Sequence, residues 1–452
     1  MFNRTIIDKL KQWAKSPNRK PLILRGARQV GKTTAVNLFS KIYDQFISLN
    51  LEIKEEADLF NNELPISELV QSIYLYKNIA NTKGKTLLFI DEIQNSPRAV
   101  MMLRYFYEKH PEIHVIAAGS LFEIMLDNKQ ISFPVGRVQF LYLYPLSFQE
   151  FLEANGETVA LQTLNTIPLP EYAHSTLLKL YHTYTLIGGM PEVVEQYVTT
   201  KSIIALNPIY ESLQTAYVDD ISKYARTDKM REVLKYCIEI SPIEAGKRIK
   251  FQGFGGSNYT NKDVSEALKT LERAMLLYLI YPSNSVEIPI APQISKSPKL
   301  QLFDTGLLNF YAGLQKQYFK YDNLHAFYRG ILAEHIVMQE IISLDLTTSH
   351  KPNFWTREKK QANSEVDLLL PFNEFLIPVE VKAGKSGTLR SLHQYIDRTS
   401  HEFAVRLYAG PLNIQRTTTI AGKNFYLLNL PYFLISKIYN YLEWMISDKN
   451  FR

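Results

Sequence analysis

Residues 26 to 33 read Gly-Ala-Arg-Gln-Val-Gly-Lys-Thr, which is a complete phosphate-binding loop of the G-x-x-x-x-G-K-[ST] type. The glycines allow the backbone to curl until its N–H groups point at phosphate oxygens. In this pattern Lys32 reaches the β- and γ-phosphates, and the Thr33 hydroxyl is a ligand of Mg²⁺. The stretch therefore predicts a nucleotide-binding domain with ATP and Mg²⁺ as its cofactors.

The flanks of the loop agree with this prediction. Residues 22–24 form a short apolar segment typical of a strand, and residues 34–39 are typical of a helix start. The positive N-terminal end of such a helix faces the same anion. The residues predicted to contact the nucleotide are Gly26, Ala27, Arg28, Gln29, Val30, Gly31, Lys32, Thr33 and Thr34.

A second apolar run, residues 86–90, ends in Asp91 and Glu92. A run without polar alternation is typical of a strand buried on both faces of a parallel sheet. Acids at its carboxyl end lie where open α/β sheets bind ligands. We expect Asp91 to join Thr33 around Mg²⁺ and Glu92 to polarise the attacking water as a general base. The alternative is that both acids only begin a solvated turn.

A third apolar segment, residues 114–118, is followed by Gly119 and Ser120. The Ser120 hydroxyl at the tip of this predicted strand has two possible roles. It either reaches the γ-phosphate region or the lytic water, or it caps a helix that begins at Leu121.

The order of these motifs resembles that of AAA+ ATPases. The continuation narrows the resemblance: Gly136 is followed by Arg137, residues 144–151 read Tyr-Pro-Leu-Ser-Phe-Gln-Glu-Phe, and residues 188–192 read Gly-Gly-Met-Pro-Glu. Together they resemble the prokaryotic AAA+ family that carries a C-terminal domain of unknown function, over almost the whole chain. The resemblance implies a homo-oligomer in which Arg137 acts as an arginine finger at a neighbour's nucleotide. The alternative for Arg137 is a surface salt bridge or a lid contact.

Four regions follow from the pattern of predicted elements. Residues 1–140 alternate strands and helices, as the nucleotide-binding core of an α/β protein with a parallel sheet should. Residues 141–225 read as a helical lid. Residues 226–310 read as two helices, at 229–240 and 264–274, followed by two short apolar segments, which suggests a winged-helix module. Residues 311–452 read as a second α/β domain.

The winged-helix prediction raises DNA as a partner. Residues 226–300 hold twelve Lys and Arg against eight Asp and Glu, and basic residues around a recognition helix contact phosphates. Three acids in the same stretch, Asp263, Glu266 and Glu272, would repel phosphates. The alternative is a winged helix used for packing or for protein contact.

The second α/β domain contains a possible metal site. Residues 365–370 and 375–383 predict a hairpin that brings Asp367 opposite Val379 or Glu380. Glu380 and Lys382 are two residues apart and share one face. Glu334 lies in the middle of an apolar helical stripe, and a buried carboxylate needs a partner or a metal. Carboxylates of this kind form a hard oxygen site for Mg²⁺ or Mn²⁺, and Lys382 would assist the nucleophile or the developing negative charge.

This arrangement resembles the PD-(D/E)xK nuclease superfamily. Glu334 matches the helix acid, Asp367 the strand acid, and Glu380 with Lys382 the E-x-K pair; Val366 stands where the superfamily usually has proline. The resemblance implies metal-dependent phosphodiester cleavage of DNA. The alternative is an ion-pair network on a structural sheet.

Composition restricts the class of protein further. The 452 residues are 46% hydrophobic and 21% charged, with a net charge of +6 and a single cysteine, Cys237. One cysteine excludes an internal disulfide framework and fits a reducing cytoplasm. The sequence lacks an apolar run long enough for a membrane span.

The sequence thus predicts a cytoplasmic AAA+ protein that hydrolyses ATP and is coupled to a nuclease-like domain acting on DNA. The alternative is a nucleotide-operated switch, or a module that binds DNA or protein, with a catalytically inactive nuclease fold.

Overall fold

The computed structural model describes residues 2–61, 64–82, 84–119, 133–222, 225, 227–315, 331–359, 362–384 and 389–447. The chain divides into two compact units. The first is Met1–Tyr144 with the short segments Arg273–Met275 and Asp345–Ser349; the second is Pro145–Glu272, Leu276–Leu344 and His350–Arg452. No helix in the described ranges is long and apolar enough to cross a lipid bilayer.

The first unit contains a five-stranded sheet in the order β2-β3-β4-β1-β5, and every pair in it is parallel. Its strands are β1 (Leu22–Arg25), β2 (Gln45–Asn50), β3 (Thr86–Asp91), β4 (Ile113–Ala118) and β5 (Gln139–Tyr142). Its described helices are α1 (Ile6–Lys15), α2 (Lys32–Phe39), α3 (Lys54–Asn61), α4 (Ile66–Tyr76) and α5 (Pro97–Lys109).

The predicted buried strand is present as β3, whose first five residues are fully buried. Apolar side chains of the sheet and of α4 and α5 form one continuous core. Because all five strands are parallel, their carboxyl ends meet at one edge of the sheet, where ligands bind in open α/β folds. The phosphate-binding loop follows β1, whereas Asp91 ends β3 and Glu92 follows it, so the loop and both acids lie at this edge.

The second unit is mainly helical in its first half. Its described helices are α6 (Phe148–Ala154), α7 (Thr158–Leu164), α8 (His174–Ile187), α9 (Pro191–Thr200), α10 (Asn207–Ser222), α11 (Asp228–Glu244), α12 (Asn261–Arg273), α13 (Thr305–Tyr311), α14 (Ile331–Leu344), α15 (Arg390–Ile396) and α16 (Ile438–Ser447). Helices α11 and α12 coincide with the helices predicted at 229–240 and 264–274. The two short apolar segments after them pair antiparallel as β6 (Leu277–Ile280) and β8 (Lys299–Leu302).

A seven-stranded mixed sheet in the order β13-β14-β12-β11-β10-β9-β7 forms the rest of the second unit. Its strands are β7 (Pro282–Ser283), β9 (Asn353–Lys359), β10 (Ala362–Phe372), β11 (Phe375–Val381), β12 (Phe403–Tyr408), β13 (Asn413–Thr418) and β14 (Asn424–Pro431). The predicted hairpin is the antiparallel pair β10–β11. Strand β10 extends two residues beyond the predicted range 365–370, because Pro371 still pairs with Leu376 and the chain reverses at Asn373, where φ is 50°.

The two short motifs at residues 144–151 and 188–192 pack against each other. Leu146 donates its N–H to the Gly189 carbonyl at 2.7 Å, and Gly189 donates its N–H to Asp304 Oδ2 at 2.7 Å. A Cβ atom on Gly189 would lie 2.2 Å from the Leu146 carbonyl oxygen, so only glycine permits this approach. These segments therefore form a packing junction rather than a separate site.

Candidate functional site

The phosphate-binding loop has the backbone that its glycines predicted. Gly31 has a φ of 94° immediately before α2, a conformation that favours glycine. A Cβ atom on Gly26 would lie 2.4 Å from the Leu143 carbonyl oxygen, so the loop also needs glycine at its start. Lys32 is buried and its Nζ donates to the carbonyl oxygens of Gly26 and Ala27, each at 2.9 Å. The ammonium thus lies across the inside of the loop.

Arg4 supports the loop from outside and was not predicted from the sequence. Its guanidinium is buried and donates from Nη1 to the Val30 carbonyl at 3.0 Å and from Nη2 to the Tyr144 carbonyl at 2.6 Å. Hydrogen bonds from a charged donor are stronger than neutral ones. Arg4 therefore fixes the middle of the phosphate-binding loop, although it lies outside every motif that marks this loop.

The two residues predicted to hold Mg²⁺ lie in contact. Thr33 Oγ1 donates to Asp91 Oδ2 at 2.7 Å, and the Glu92 N–H donates to Asp91 Oδ1 at 3.0 Å. Mg²⁺ is typically bound by one or two protein oxygens together with phosphate and water. A hydroxyl and a carboxylate at this separation fit such an ion, and the Mg²⁺ would neutralise charge on the phosphates.

Glu92 lies in an unusual local conformation beside Asp91. Its φ is 50°, a left-handed backbone that non-glycine residues seldom adopt outside turns and functional sites. Burial raises the pKa of its carboxyl group, an effect that the hydrogen bond from Gln94 and the charge of Lys32 oppose. A carboxylate with a raised pKa is a better proton acceptor, as a general base requires.

Gln94 is a second residue that sequence reasoning missed. Its side chain is buried, and its Nε2 donates to Glu92 Oε2. A Cβ atom on Gly119 would lie 2.2 Å from Gln94 Oε1, so the end of β4 accommodates this amide only because residue 119 is glycine. Gln94 orients the Glu92 carboxylate, and no spacing rule in the sequence marks it.

The remaining two residues predicted for this site have different outcomes. Ser120 lies outside the described residues. Arg137 donates from Nε to Glu108 Oε1 at 3.0 Å, with 45% of its side chain exposed. The same carboxylate oxygen accepts from Arg104 Nε at 2.9 Å. Within its own chain Arg137 is therefore a member of a surface ion-pair group.

The carboxylate and lysine side chains of the second unit do converge. Leu368 pairs with Val379, which places Asp367 beside Glu380 in the hairpin. Asp367 Oδ2 accepts the Val381 N–H at 2.8 Å, and Lys382 Nζ lies 2.6 Å from Glu380 Oε1. The pKa of Glu380 is raised to about 8, mainly by burial and also by the Asp367 carboxylate, while Lys382 opposes the rise.

Lys299 at the start of β8 contributes an ammonium group that the sequence did not assign to this cluster. Its Nζ lies 2.6 Å from Glu365 Oε1, 3.0 Å from Glu334 Oε2 and 3.7 Å from Asp367 Oδ1. Burial alone would lower the pKa of Lys299, but the three carboxylates reverse this and raise it above its ordinary value. Its ammonium therefore stays charged, although only 12% of the side chain is exposed.

Glu334 is held by this lysine. The pKa of Glu334 is raised to about 7, mainly by burial and also by the neighbouring Asp367 carboxylate, while Lys299 opposes the rise. The helical stripe that predicted this inward position included Phe327, which lies outside the described residues. Within the described ranges, Glu334 is the acid that α14 presents to the sheet.

These side chains, as arranged, do not fit Mg²⁺ or Mn²⁺. The predicted ligands were Glu334, Asp367 and Glu380, but the Lys299 ammonium lies within contact distance of the first two. Across the described part of the chain, no group of three or more His, Cys, Asp or Glu side chains is placed to hold a metal ion. No reaction step through a metal can be derived for this cluster.

Comparisons with protein families divide the chain into three parts. Residues 18–152 match the model of an AAA domain, residues 178–318 match a domain of unknown function, DUF8612, and residues 329–432 match a further domain of unknown function, DUF4143. Among curated proteins, none matches the chain. The first unit therefore contains an AAA-type P-loop ATPase domain, on the evidence of its family match and of the loop geometry.

Several solved structures are similar to parts of this chain. The Walker-type ATPase paby2304 of Pyrococcus abyssi is 16% identical, with 69% of this chain and 96% of that chain covered and a TM-score of 0.43. The RuvB Holliday junction branch migration motor of Thermotoga maritima is 15% identical, with 62% and 90% covered and a TM-score of 0.26. The ORC1 protein of Aeropyrum pernix, solved in complex with DNA, is 14% identical, with 68% and 90% covered and a TM-score of 0.28. At TM-scores this low the likenesses carry no argument about function.

Proposed function

We propose that this protein binds and hydrolyses ATP in its first unit and that the nucleotide state operates its second unit as a switch. The observation that carries the proposal is the contact between Thr33 and Asp91 at the mouth of the phosphate-binding loop. Lys32 and Glu92 flank this pair, so the cation, the Mg²⁺ ligands and the base lie at one edge of the sheet.

Each residue has a separate role in the proposed reaction. Lys32 would exchange its hydrogen bonds to the Gly26 and Ala27 carbonyls for bonds to the β- and γ-phosphates. Thr33 and Asp91 would hold Mg²⁺, which supplies positive charge to the phosphates. Glu92, oriented by Gln94, would accept a proton from the attacking water. Arg4 would act indirectly, by holding the Val30 carbonyl of the loop.

The second unit is proposed to bind DNA. Helices α11 and α12 followed by the antiparallel pair β6–β8 agree with a winged-helix module, and residues 226–300 carry more basic than acidic residues. Excess positive charge on such a module favours a phosphate backbone as its partner. We further propose a homo-oligomer, in which Arg137 reaches the nucleotide of a neighbour.

Metal-dependent DNA cleavage is the second candidate activity of this unit. The convergence of Asp367, Glu380 and Lys382 favours it, since these residues match the nuclease pattern. The Lys299 ammonium among the carboxylates opposes it. We therefore propose DNA binding without cleavage as the first candidate activity of this unit and DNA cleavage as the second.

One set of assays tests both proposals. The variant Lys32→Ala should lose both ATP binding, measured by calorimetry, and ATP hydrolysis, because the cation that meets the phosphates is gone. Asp367→Asn, which lies in the other unit, should keep both. Tight ATP binding by Lys32→Ala would contradict the assignment of the P-loop site.

The same preparations, incubated with several DNA forms and Mg²⁺ or Mn²⁺, address the second unit. DNA binding without cutting supports the first candidate. Cutting that Asp367→Asn abolishes would establish the second. A failure to bind any DNA form would remove DNA as the partner and leave ATP hydrolysis unaffected.

A further inference from the structure

The carboxylate cluster of the second unit contains more acids than bases. Four acidic side chains (Glu334, Glu365, Asp367 and Glu380) face two lysines, Lys299 and Lys382. Lys382 contacts Glu380, whereas Lys299 lies among the other three. Each acid is at least two-thirds buried at its side chain, so their mutual repulsion is poorly screened and requires a positive charge between them.

Lys299 is built to supply that charge. It begins β8, whose backbone is held on one side by β6 and on the other by a hydrogen bond from the Leu300 N–H to the Lys247 carbonyl at 3.1 Å. Its Nζ also lies 5.1 Å from the centre of the buried Phe354 ring, a favourable position for a cation. The lysine is thus fixed at both its backbone and its ammonium end.

Two further observations describe the surroundings of this lysine. A cavity of about 20 Å³, lined by Lys299, Glu334 and Asp367 among others, adjoins the ammonium and has room for one water-sized occupant. Glu380 is buried, and its Oε2 has no hydrogen-bond partner among the described residues. This carboxylate oxygen receives no hydrogen bond from Lys299. It is therefore available as a ligand for a cation.

We propose that Lys299 is a tethered cation that occupies the place of a divalent metal among Glu334, Glu365 and Asp367 and thereby excludes the metal. The inference gives a physical reason for placing binding without cleavage first. It rests on the proposed nuclease-like arrangement and is independent of ATP hydrolysis. A lysine ammonium donates hydrogen bonds and cannot ligate a cation, and its positive charge repels a metal ion placed among the same carboxylates. Removing the lysine side chain leaves three carboxylates without their cation, which a divalent ion would then bind.

The test measures Mn²⁺ binding to the full chain by isothermal titration calorimetry, without nucleotide and in a Lys32→Ala background. The parent should show no saturable Mn²⁺ binding that Asp367→Asn removes. Lys299→Met should gain one site per chain, and the double variant Lys299→Met with Asp367→Asn should lose it again. Lys351→Met is the matched control, since Lys351 pairs at 2.6 Å with a single acid, Glu272, in the same unit.

Thermal unfolding gives an independent readout. Lys299→Met should melt at a lower temperature than the parent, and Mn²⁺ should restore part of the loss, whereas Lys351→Met should not respond to Mn²⁺. Lys299→Gln, which keeps a polar side chain of similar length, serves as a second variant in case the first fails to fold.

Three outcomes would overturn the proposal. Saturable Mn²⁺ binding by the parent that Asp367→Asn removes would show that metal and lysine coexist. Folded Lys299→Met and Lys299→Gln proteins that bind no Mn²⁺ would show that the lysine excludes nothing. Failure of both variants to fold even with Mn²⁺ would show that the ion cannot replace the ammonium.

Discussion

At the scale of single residues, Glu92 is positioned by its neighbours more than by its own conformational preference. A left-handed backbone turns it away from the line of β3, and Gln94 then holds the carboxylate from the side. A non-glycine residue in this conformation costs about 1 to 3 kcal/mol. Such strain persists only where surrounding contacts over-determine it, which agrees with a role at the reacting centre.

The variant Glu92→Gln tests this role. It keeps the shape and the hydrogen-bonding capacity of the side chain but cannot accept a proton, so it should bind ATP and hydrolyse it about 10²- to 10⁴-fold more slowly. In the wild type, hydrolysis should rise with pH through the pKa of Glu92, because only the ionised carboxylate is a base. Single-turnover hydrolysis measures both effects.

Glu112→Gln is the control for Glu92→Gln, because Glu112 is an exposed acid of the same unit. Its turnover should equal that of the wild type. Wild-type turnover in Glu92→Gln itself would show that this acid only begins a turn.

At the scale of secondary-structure elements, local contacts could be predicted and distant ones could not. Asp367, Glu380 and Lys382 belong to one hairpin, so strand alternation and a short turn were enough to place them together. Lys299 belongs to β8 and reaches Asp367 only through the packing of separate elements. A lysine at the start of an apolar strand is an ordinary surface pattern, and nothing in its sequence context distinguishes it. Arg4 escaped prediction for the same reason, whereas Gln94, only two residues from Glu92, escaped because no spacing rule marks its contact.

The junction between α6, α8 and α14 shows that the motif at residues 144–151 serves packing. Glu340 on α14 accepts the Phe148 N–H at the start of α6 at 3.0 Å and the Tyr184 hydroxyl of α8 at 2.7 Å. Glu340 is buried, and burial raises its pKa to about 7. One carboxyl group thus joins three helices, and the residues around Phe148 are needed for packing.

The variant Glu340→Gln should make stability less dependent on pH. In the wild type the folded state holds a proton on Glu340 that the unfolded state releases from about pH 4.5, the ordinary value, so stability falls as pH rises towards about 7. Glutamine retains a carbonyl acceptor for both bonds and carries no charge. Its advantage in unfolding free energy should grow between these pH values and level off above 7, at up to about 3 kcal/mol.

Denaturant unfolding of Glu340→Gln at several pH values measures this difference. The control is Glu192→Gln, since Glu192 is exposed at the start of α9, and its difference from the wild type should stay flat. A constant difference for Glu340→Gln across the range would mean that this carboxyl group is not titrating in the folded state.

At the scale of the whole molecule, Arg137 is the residue of the first unit through which we propose that neighbouring subunits interact. This residue shares Glu108 with Arg104, and both arginines are about half exposed. Exposed ion pairs contribute about 0 to 1 kcal/mol to stability. The pair with Glu108 therefore adds little to stability and does not by itself explain an arginine at this position. A role at a neighbour's nucleotide would give one, because an arginine finger stabilises charge that develops during phosphoryl transfer.

The variant Arg137→Ala should bind ATP as the wild type does and hydrolyse it far more slowly, with an unchanged melting temperature. Arg104→Ala is the matched control, since it removes the other partner of the same carboxylate and should leave hydrolysis intact. Mixing Arg137→Ala with Lys32→Ala should restore part of the activity, because mixed interfaces then combine an intact loop with an intact arginine.

If subunits exchange, as size-exclusion chromatography of labelled protein would show, and yet no activity returns, Arg137 does not act on a neighbour. Equal loss in Arg104→Ala and Arg137→Ala would instead assign both arginines to support of α5 through Glu108.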